Sequence, residues 1–462
     1  MEEISDSVFL TRKIEKDIRR FFASSDKKCL LVEGARQVGK STLIEKLGRE
    51  CFKHFVKIDF LSDSAAKGIF TSSSSTSDIL SRLTMLTDEK LEKGETLFFF
   101  DEVQECREAV TAVKYLVQDG SYRYILSGSL LGIELYSVKS IPVGYMDSIR
   151  MFPLDFEEFC IANGVAESVL DSLRESFEKK TPVDEFVHEA FLRLFRLYLV
   201  TGGMPAVVAK YLATKNIRDA VDEQENIIRR YKEDIAKYER DDRKLRITGV
   251  FDALPGELND INRRFVLAHL DREAKGERYE NSFEWLKNAG VAIPVYNAKE
   301  PLLPLRLSET STLFKLFLCD VGLLSCMYAD GIQLRILSGE TDINYGAVYE
   351  NFVAQELLSH GYERLYYFNS RKQGEVDFLV SHDSRVVPIE VKSGRDYMKH
   401  HALDRVLDNP KYGLESAVVL SNANVKTDGR IVYYPVYMLM FIHRDEIPSD
   451  MIYSPDISIL KA

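Results

Sequence analysis

A glycine-rich segment near the amino terminus limits what this chain can fold into more than any other feature. Residues 34–42 read GARQVGKST; the apolar run KCLLVE (28–33) precedes them, and TLIEKLGREC follows with apolar residues at helical spacing. Such a loop between a strand and a helix turns its backbone N–H groups toward phosphates, while Lys40 reaches the terminal phosphates and the Ser41 hydroxyl holds Mg²⁺. The sequence therefore predicts an α/β fold with a site for ATP. The residues assigned to the nucleotide in this loop are Gly34, Arg36, Gly39, Lys40, Ser41 and Thr42.

A second strand ends in two carboxylates that suit the same site. In ETLFFFDEVQE a buried apolar run ends at Asp101 and Glu102. An aspartate at this position can hold Mg²⁺ directly or through water, and the adjacent glutamate can polarise the attacking water. The alternative is two solvated carboxylates that merely close a strand. Another strand, YRYILSGS, ends in Ser127 and Ser129, where a polar residue near the γ-phosphate is expected, although serine is also a common turn residue.

Composition places these motifs in a large globular protein. The chain has 462 residues, enough for about three domains, with 45% hydrophobic and 29% charged residues. No apolar run approaches the roughly 20 residues of a membrane span, and the six cysteines have no paired metal spacing, so we expect a cytoplasmic protein without a membrane contact. The net charge of −11 counts against a surface coated for non-specific nucleic-acid binding, but it leaves room for a local basic groove.

Four later segments narrow the family. IPVGYMDSIRMFPLDFEEF (141–159), LYLVTGGMPAVV (197–208), FEWLKNAGVAIPVY (283–296) and LFKLFLCDVGLL (313–324) resemble the signatures of a widespread prokaryotic family. Its members join an AAA+ ATPase to a winged-helix region and a C-terminal restriction-endonuclease-like, PD-(D/E)XK domain. The resemblance implies ATP and Mg²⁺ as cofactors, and a homo-oligomer because AAA+ sites usually form between subunits.

The resemblance fails at the arginine finger. Many relatives have arginine after the glycine of the 141–159 segment, whereas this chain has Tyr145. Arg150, Arg229 and Arg230 are the remaining candidates, and each is more often a plain surface or packing residue.

We expect four structural regions in chain order. Residues 1–160 form the ATPase core, 161–245 a helical lid, 246–330 a winged-helix-like region, and 331–462 the nuclease-like domain. In the third region, VAIPVYNAKEPLLPL has the alternation and prolines of a small β-wing. Whether that region touches DNA or only packs against its neighbours stays open.

The C-terminal region carries a second polar constellation. Glu350 shares an apolar helix face in GAVYENFVAQELLSHG, and three strand-like runs follow: RLYYFN, EVDFLVS and VVPIEVK. A buried carboxylate must be paired or metal-bound to offset its desolvation. The period of two sends Glu390 and Lys392 to one side of the last strand, and a hairpin would bring Asp377 alongside.

This pattern resembles the Asp…Glu-x-Lys nuclease superfamily. The resemblance implies that Asp377 and Glu390 hold Mg²⁺ or Mn²⁺, that Lys392 positions water beside the scissile phosphate of DNA or RNA, and that Glu350 completes the site. The alternative is a structural ion pair of Lys392 in a domain that binds without cutting, as a nucleotide-operated switch or scaffold. Basic residues that could meet phosphates are Arg371, Lys372, Arg395, Lys399, His400 and His401.

Overall fold

The computed structural model describes residues 10–73, 75–128, 144–238, 241–259, 276–328, 331–340, 345–445 and 451–456. Ser129 and positions 141–143, named above, lie outside the described residues. Within the described ranges, no helix is both long and apolar enough to cross a membrane.

A parallel sheet forms the centre of the N-terminal part. Its strands are β1 (Cys29–Glu33), β2 (His54–Asp59), β3 (Thr96–Asp101), β4 (Arg123–Gly128) and β5 (Met146–Arg150). They lie in the order β2-β3-β4-β1-β5, and every neighbouring pair runs parallel. Parallel strands are covered on both faces, which explains why the apolar runs of β1 and β3 are buried.

Helices cover both faces of this sheet. They are α1 (Glu15–Ala23), α2 (Lys40–Cys51), α3 (Ser64–Thr71), α4 (Thr76–Thr84) and α5 (Arg107–Asp119), with a short 3-10 helix at Val103–Glu105. Leu97 and Phe99 of β3 pack with α1 and α2, whereas Phe98 and Phe100 pack with α3, α4 and α5. The alternation follows from the period of two along a strand.

A helical region follows, as the sequence predicts for residues 161–245. Its helices are α6 (Phe156–Ala162), α7 (Glu167–Lys179), α8 (Glu185–Thr201), α9 (Pro205–Thr214), α10 (Ile217–Tyr238), α11 (Asp241–Asn259) and α12 (Gly276–Asn288). The predicted break falls between α8 and α9. Glycine is required there, because a Cβ on Gly203 would lie 2.0 Å from the Leu154 carbonyl oxygen.

The C-terminal part is built on a second, mixed sheet. Its strands are β6 (Ala292–Ala298), β7 (Glu309–Leu318), β8 (Leu365–Ser370), β9 (Gly374–His382), β10 (Arg385–Val391), β11 (Ala417–Ser421), β12 (Lys426–Asp428) and β13 (Ile431–Pro435). Their order is β12-β13-β11-β10-β9-β8-β6-β7. The accompanying helices are α13 (Val321–Met327), α14 (Ile332–Ser338), α15 (Gly346–Ser359) and α16 (His401–Leu407), with 3-10 turns at Leu305–Ser308 and Val436–Phe441.

The strands predicted as a β-wing form a hairpin that extends the C-terminal sheet. β6 pairs antiparallel with β7 and also parallel with β8. The sheet therefore contains strands from both sides of the boundary expected at residue 330, and that boundary stays a prediction. The apolar residues of β6 are buried, and its second edge pairs with another strand rather than facing water.

The two halves of the chain share a core. One continuous apolar cluster contains Leu30 of β1, Phe195 of α8, Phe352 of α15 and Val380 of β9. Polar contacts cross the same boundary: the Phe156 N–H, at the start of α6, donates to the Glu356 carboxylate of α15 at 3.1 and 3.3 Å. The C-terminal sheet is thus packed onto the ATPase half rather than tethered to it.

Candidate functional site

The glycine-rich loop connects β1 to α2 in the predicted way. Gly34 has φ +152°, and a Cβ at this position would lie 2.2 Å from the Met151 carbonyl oxygen at the end of β5. Gly39 has φ +93° and stands directly before α2. Both positions therefore demand glycine, one for close approach of two strands and the other for the left-handed turn into the helix.

Lys40 lies inside this loop. Its side chain is buried, and Nζ donates to the carbonyl oxygens of Gly34 and Ala35 at 2.9 and 2.8 Å. Burial lowers the pKa of Lys40 to about 8, against the opposing effect of the Glu102 and Asp101 carboxylates. The ammonium group lies where bound phosphates would stabilise its protonated form.

This environment predicts a pH dependence of ATP binding. Phosphate contact raises the pKa of Lys40 above its value of about 8 in the free protein, so ATP binding favours the protonated lysine. Below pH 8 the protonated lysine makes its full contribution to the affinity for ATP. Above pH 8 the affinity for ATP falls, by up to about tenfold per pH unit. Titration calorimetry with ATP from pH 7 to pH 9.5 measures the slope. Lys40→Arg is the control, because its guanidinium stays charged and should remove this part of the slope; equal slopes in both proteins would contradict the prediction.

Asp101 is held at the end of β3 by three side chains. Its Oδ1 accepts from the Ser41 hydroxyl at 3.0 Å and from the Ser127 hydroxyl, and its Oδ2 lies 3.0 Å from Lys57 Nζ. The predicted residues Ser41, Asp101 and Ser127 therefore meet at one point. Sequence reasoning missed Lys57, because the position of β2 beside β3 depends on the strand order.

Glu102 projects into the same cleft. It adopts φ +52°, a conformation that non-glycine residues reach at a cost of about 1–3 kcal/mol and that is concentrated at functional sites. Gln104 Nε2 donates to its carboxylate, an orienting contact that the sequence analysis missed. The carboxylate thus has a fixed direction beside Lys40 and Arg36, with which it lines the cleft.

Arg36 contacts the helical region rather than standing free in the loop. Its guanidinium pairs with Asp234 of α10, and the Tyr231 hydroxyl donates to its carbonyl oxygen at 3.2 Å. Burial raises the pKa of Asp234, while Arg36 opposes that shift. The glycine-rich loop is therefore tied to α10 by an ion pair and a hydrogen bond.

The cleft has a volume of about 380 Å³ and a lining of mixed chemistry. Leu10, Pro205 and Ala209 contribute apolar surface, and Lys40 and Glu102 contribute charged groups. Apolar surface suits a stacked base, and a cationic group suits phosphates. The lining therefore offers both kinds of contact that a nucleoside triphosphate needs.

Arg12 is a buried anchor of the loop that sequence reasoning missed. Its guanidinium donates to the Val38 carbonyl at 3.0 Å and to the Phe152 carbonyl at 2.5 Å, and Nε pairs with Glu158 at 3.2 Å. These contacts tie the glycine-rich loop to the segment between β5 and α6. A lone arginine ahead of β1 gave no signal in the sequence.

The arginine-finger candidates lie on the surface. Arg150 is 62% exposed and lies 3.8 Å from Glu33, the residue before Gly34. Arg229 and Arg230 lie on the exposed side of α10, where Arg229 bonds to Asn226. The structure thus leaves all three as predictions and favours none by a contact with the loop.

In the C-terminal sheet, Asp377, Glu390 and Lys392 meet as predicted. Asp377 lies on β9 beside the end of β10, and its Oδ2 accepts from the Val391 N–H at 2.8 Å. Lys392 Nζ donates to Glu390 Oε1 at 2.7 Å. The helix, the β8–β9 hairpin and the Glu-x-Lys strand occur in the expected order.

Glu390 carries the clearest sign of a ligand at this place. Its side chain is 8% exposed, and among the described residues its Oε2 has no hydrogen-bond partner. Burial raises the pKa of Glu390 to about 8, the Asp377 charge adds to the shift, and Lys392 opposes it. A buried carboxylate oxygen without a partner, beside a second carboxylate, fits a divalent cation well.

Glu350 does not complete that ion site as expected. Its carboxylate lies 3.1 Å from Nζ of Lys315, a lysine of β7 that sequence reasoning missed. In the described part of the chain, three potential metal ligands come within 4.8 Å of one another at His382, Asp383 and Asp445, which are exposed, and not at Glu350, Asp377 and Glu390. Lysine pairing, rather than a metal, offsets the burial of Glu350.

The basic residues around the site divide into two groups. Arg371, Lys372, Arg395, Lys399 and His401 are exposed, as a phosphate-binding surface requires. His400 is buried, with Nδ1 2.8 Å from Asp404 and Nε2 2.7 Å from the Tyr433 hydroxyl. The expectation that His400 meets phosphate is therefore wrong, because it packs against β13 instead.

Comparison with family models assigns three segments. Residues 26–160 match an AAA domain, residues 192–335 a domain of unknown function (DUF8612), and residues 345–439 another domain of unknown function (DUF4143). The first match shows that the chain carries an AAA-type P-loop ATPase domain. No curated protein sequence matches the chain.

Several solved structures are partly similar to this chain. The Walker-type ATPase PABY2304 of Pyrococcus abyssi is 16% identical with a TM-score of 0.43, over 69% of this chain and 96% of that chain. The Orc1 protein of Aeropyrum pernix in complex with DNA is 11% identical with a TM-score of 0.31, over 72% and 97%. The RuvB Holliday junction branch migration motor of Thermotoga maritima is 14% identical with a TM-score of 0.28, over 62% and 89%. These identities and TM-scores are too low to bear on what this chain does.

Proposed function

We propose that this chain is an ATP-hydrolysing AAA-type protein whose C-terminal domain is a divalent-metal-dependent nuclease of the PD-(D/E)XK kind, acting on DNA or RNA. The observation that carries the nuclease half is the meeting of Asp377, Glu390 and Lys392, with the unpartnered Oε2 of the buried Glu390. The ATPase half is supported by the AAA-domain match and by the contacts of the glycine-rich loop.

At the N-terminal site, each side chain has a separate role. Lys40 and the loop N–H groups would bind the phosphates, Ser41 and Asp101 would hold Mg²⁺, and Glu102 would orient the attacking water. Ser127 fixes the Asp101 carboxylate through the hydrogen bond to its Oδ1. Arg36 couples the loop to α10, so nucleotide contact at the loop reaches the helical region directly.

At the C-terminal site, Asp377 and Glu390 would hold Mg²⁺ or Mn²⁺. An ion bound there supplies charge for the phosphate and lowers the pKa of a water molecule. Lys392, which is bonded to Glu390, is placed to hold that water or the phosphate, and Asp377 is kept in position by the Val391 N–H.

Two observations favour a second function, that of a nucleotide-operated switch or scaffold. Lys392 pairs with one oxygen of Glu390, as a structural ion pair would, and the C-terminal sheet shares its apolar core with the ATPase half. A domain so joined can transmit nucleotide state to a bound partner without cutting it. With either function, we propose that the protein is cytoplasmic and forms a homo-oligomer in which an arginine is supplied in trans. We also propose that the middle region is related to a winged helix.

Cleavage assays decide between the two functions. Purified protein is incubated with plasmid, single-stranded DNA and RNA, with Mg²⁺ or Mn²⁺ or with a chelator, and with and without ATP. The nuclease proposal predicts metal-dependent cleavage of at least one substrate. Binding of nucleic acid without cleavage under any of these conditions would contradict it and support the scaffold.

A further inference from the structure

Lys315 is the most deeply buried charge of the C-terminal site. Its side chain has no exposed surface, and Nζ lies 3.1 Å from Glu350, 2.7 Å from Glu375 and 3.9 Å from Asp377. The Tyr367 ring centroid lies 5.2 Å from the same nitrogen. An ammonium without water is stabilised by such a set of carboxylates and by the face of an aromatic ring.

Lys315 reaches these carboxylates across two intervening strands. It lies on β7, and β6 and β8 separate it from β9, which carries Glu375 and Asp377. Strands three places apart in a sheet are roughly 14 Å apart, so the lysine and the acidic side chains must extend toward each other. α15 holds β7 in place, since the Asn351 side chain both accepts from the Leu318 N–H and donates to the Leu318 carbonyl.

The charges around Lys315 do not cancel. Glu350, Glu375, Asp377 and Glu390 face two ammonium groups, Lys315 and Lys392, which leaves two excess negative charges when all are ionised. One divalent cation would remove this excess. The Oε2 of Glu390 has no hydrogen-bond partner among the described residues and offers such an ion a ligand, whereas Glu350 and Glu375 are in contact with Lys315.

We propose that the buried ammonium group of Lys315 occupies the inner part of this carboxylate cluster. By doing so, it restricts the cluster to a single divalent ion. Glu350 then anchors the lysine and is not a metal ligand. This inference rests on the proposed metal site between Asp377 and Glu390, but it does not require that the site cleaves anything. It assigns Lys315 and Glu350 to positioning: the lysine holds Glu375 and Asp377, and the glutamate holds the lysine.

Counting bound Mn²⁺ tests the proposal without an activity assay. Nucleotide-free full-length protein is titrated with Mn²⁺ and followed by electron paramagnetic resonance. Asp377→Asn serves as the reference, so that ions bound elsewhere on the chain cancel. We expect wild type to bind one Mn²⁺ more than Asp377→Asn, and Lys315→Met to bind two more, because it vacates a place between Glu350, Glu375 and Asp377. Lys392→Met, the matched control, also removes an ammonium group but should leave the number at one.

A second variant guards against misfolding of Lys315→Met. Lys315→Met/Glu350→Gln removes one charge of each sign and should still bind one Asp377-dependent ion within about tenfold of the wild-type affinity. Two Asp377-dependent ions in wild type would overturn the proposal, as would an unchanged number in a folded Lys315→Met or loss of the ion in the double variant. One Asp377-dependent ion without any nucleic-acid cleavage would refute the nuclease function and leave the role of Lys315 standing.

Discussion

Replacing Lys40 by alanine is expected to weaken ATP binding by at least about 100-fold, because charge-assisted hydrogen bonds to two phosphates contribute about 3 kcal/mol or more. The Lys40 side chain is buried, and its Nζ lies 2.8–2.9 Å from two loop carbonyl oxygens, where the phosphates are expected to bind. Titration calorimetry with ATP and Mg²⁺ measures the loss. Lys46→Ala, on the same helix but on its outer side near Glu15 and Glu50, is the matched control and should bind as wild type.

Glu102→Gln separates binding from hydrolysis at the same site. Glutamine keeps an oxygen for Gln104 but cannot accept a proton, so we expect ATP binding within about threefold of wild type and hydrolysis lower by roughly 10²–10⁴-fold. Glu108→Gln, an exposed position in the first turn of α5, should leave both unchanged. Unchanged ATP affinity in Lys40→Ala, or full hydrolysis in Glu102→Gln, would refute the assignment of this site.

The sequence predicts the local part of each site well, for a physical reason. Gly34, Gly39, Lys40 and Ser41 act through a loop that they themselves form, so their spacing alone implies their geometry. Glu390 and Lys392 lie two apart on one strand and must share a side. The Asp377 contact needs one hairpin, which the pattern also indicates.

Partners that are distant in sequence could not be predicted. Arg12, Lys57 and Lys315 reach their sites across helices or neighbouring strands, and their positions depend on strand order and sheet curvature, which one sequence does not specify. The pairing of Glu350 with Lys315 was missed for the same reason: the burial of Glu350 was foreseen, but its partner was not. Glu375 is different: it stands two residues before Asp377 on β9, and the period of two could have placed it in the site.

The sequence could not distinguish a wing from an extension of a larger sheet, because the hairpin pattern is the same in both. The run VAIPVYNAKEPLLPL has the alternation of two short strands, and β6 and β7 form them. What decides their role is the parallel pairing of β6 with β8, whose residues come after α13, α14 and α15 in the chain. Pairing over such a separation leaves no local signal.

The largest effect at the C-terminal site is expected from Asp377→Asn and Lys392→Ala. Asparagine keeps an oxygen for the Val391 N–H and so preserves the strand pairing, but it loses the charge that holds the ion. Removing Lys392 takes away the group beside the water and the phosphate. If the wild-type protein cleaves nucleic acid, each variant should reduce cleavage by roughly 10²-fold or more, the range seen when a charge-stabilising group is lost.

ATP hydrolysis should survive both changes, although the halves of the chain share a core. The Asp377 side chain accepts from the Val391 N–H and lies 3.9 Å from Lys315, both in the C-terminal half, although Val380 of the same strand belongs to the shared apolar core. We therefore expect ATPase rates within about twofold of wild type, a change below 0.5 kcal/mol. Lys399→Ala is the matched control for Lys392→Ala, because Lys399 is exposed and pairs only with Asp396 among the described residues. Cleavage that persists in Asp377→Asn would show that the ion, if any, is held elsewhere; equal loss of ATPase and cleavage would show that the variants disturb the shared core rather than the site.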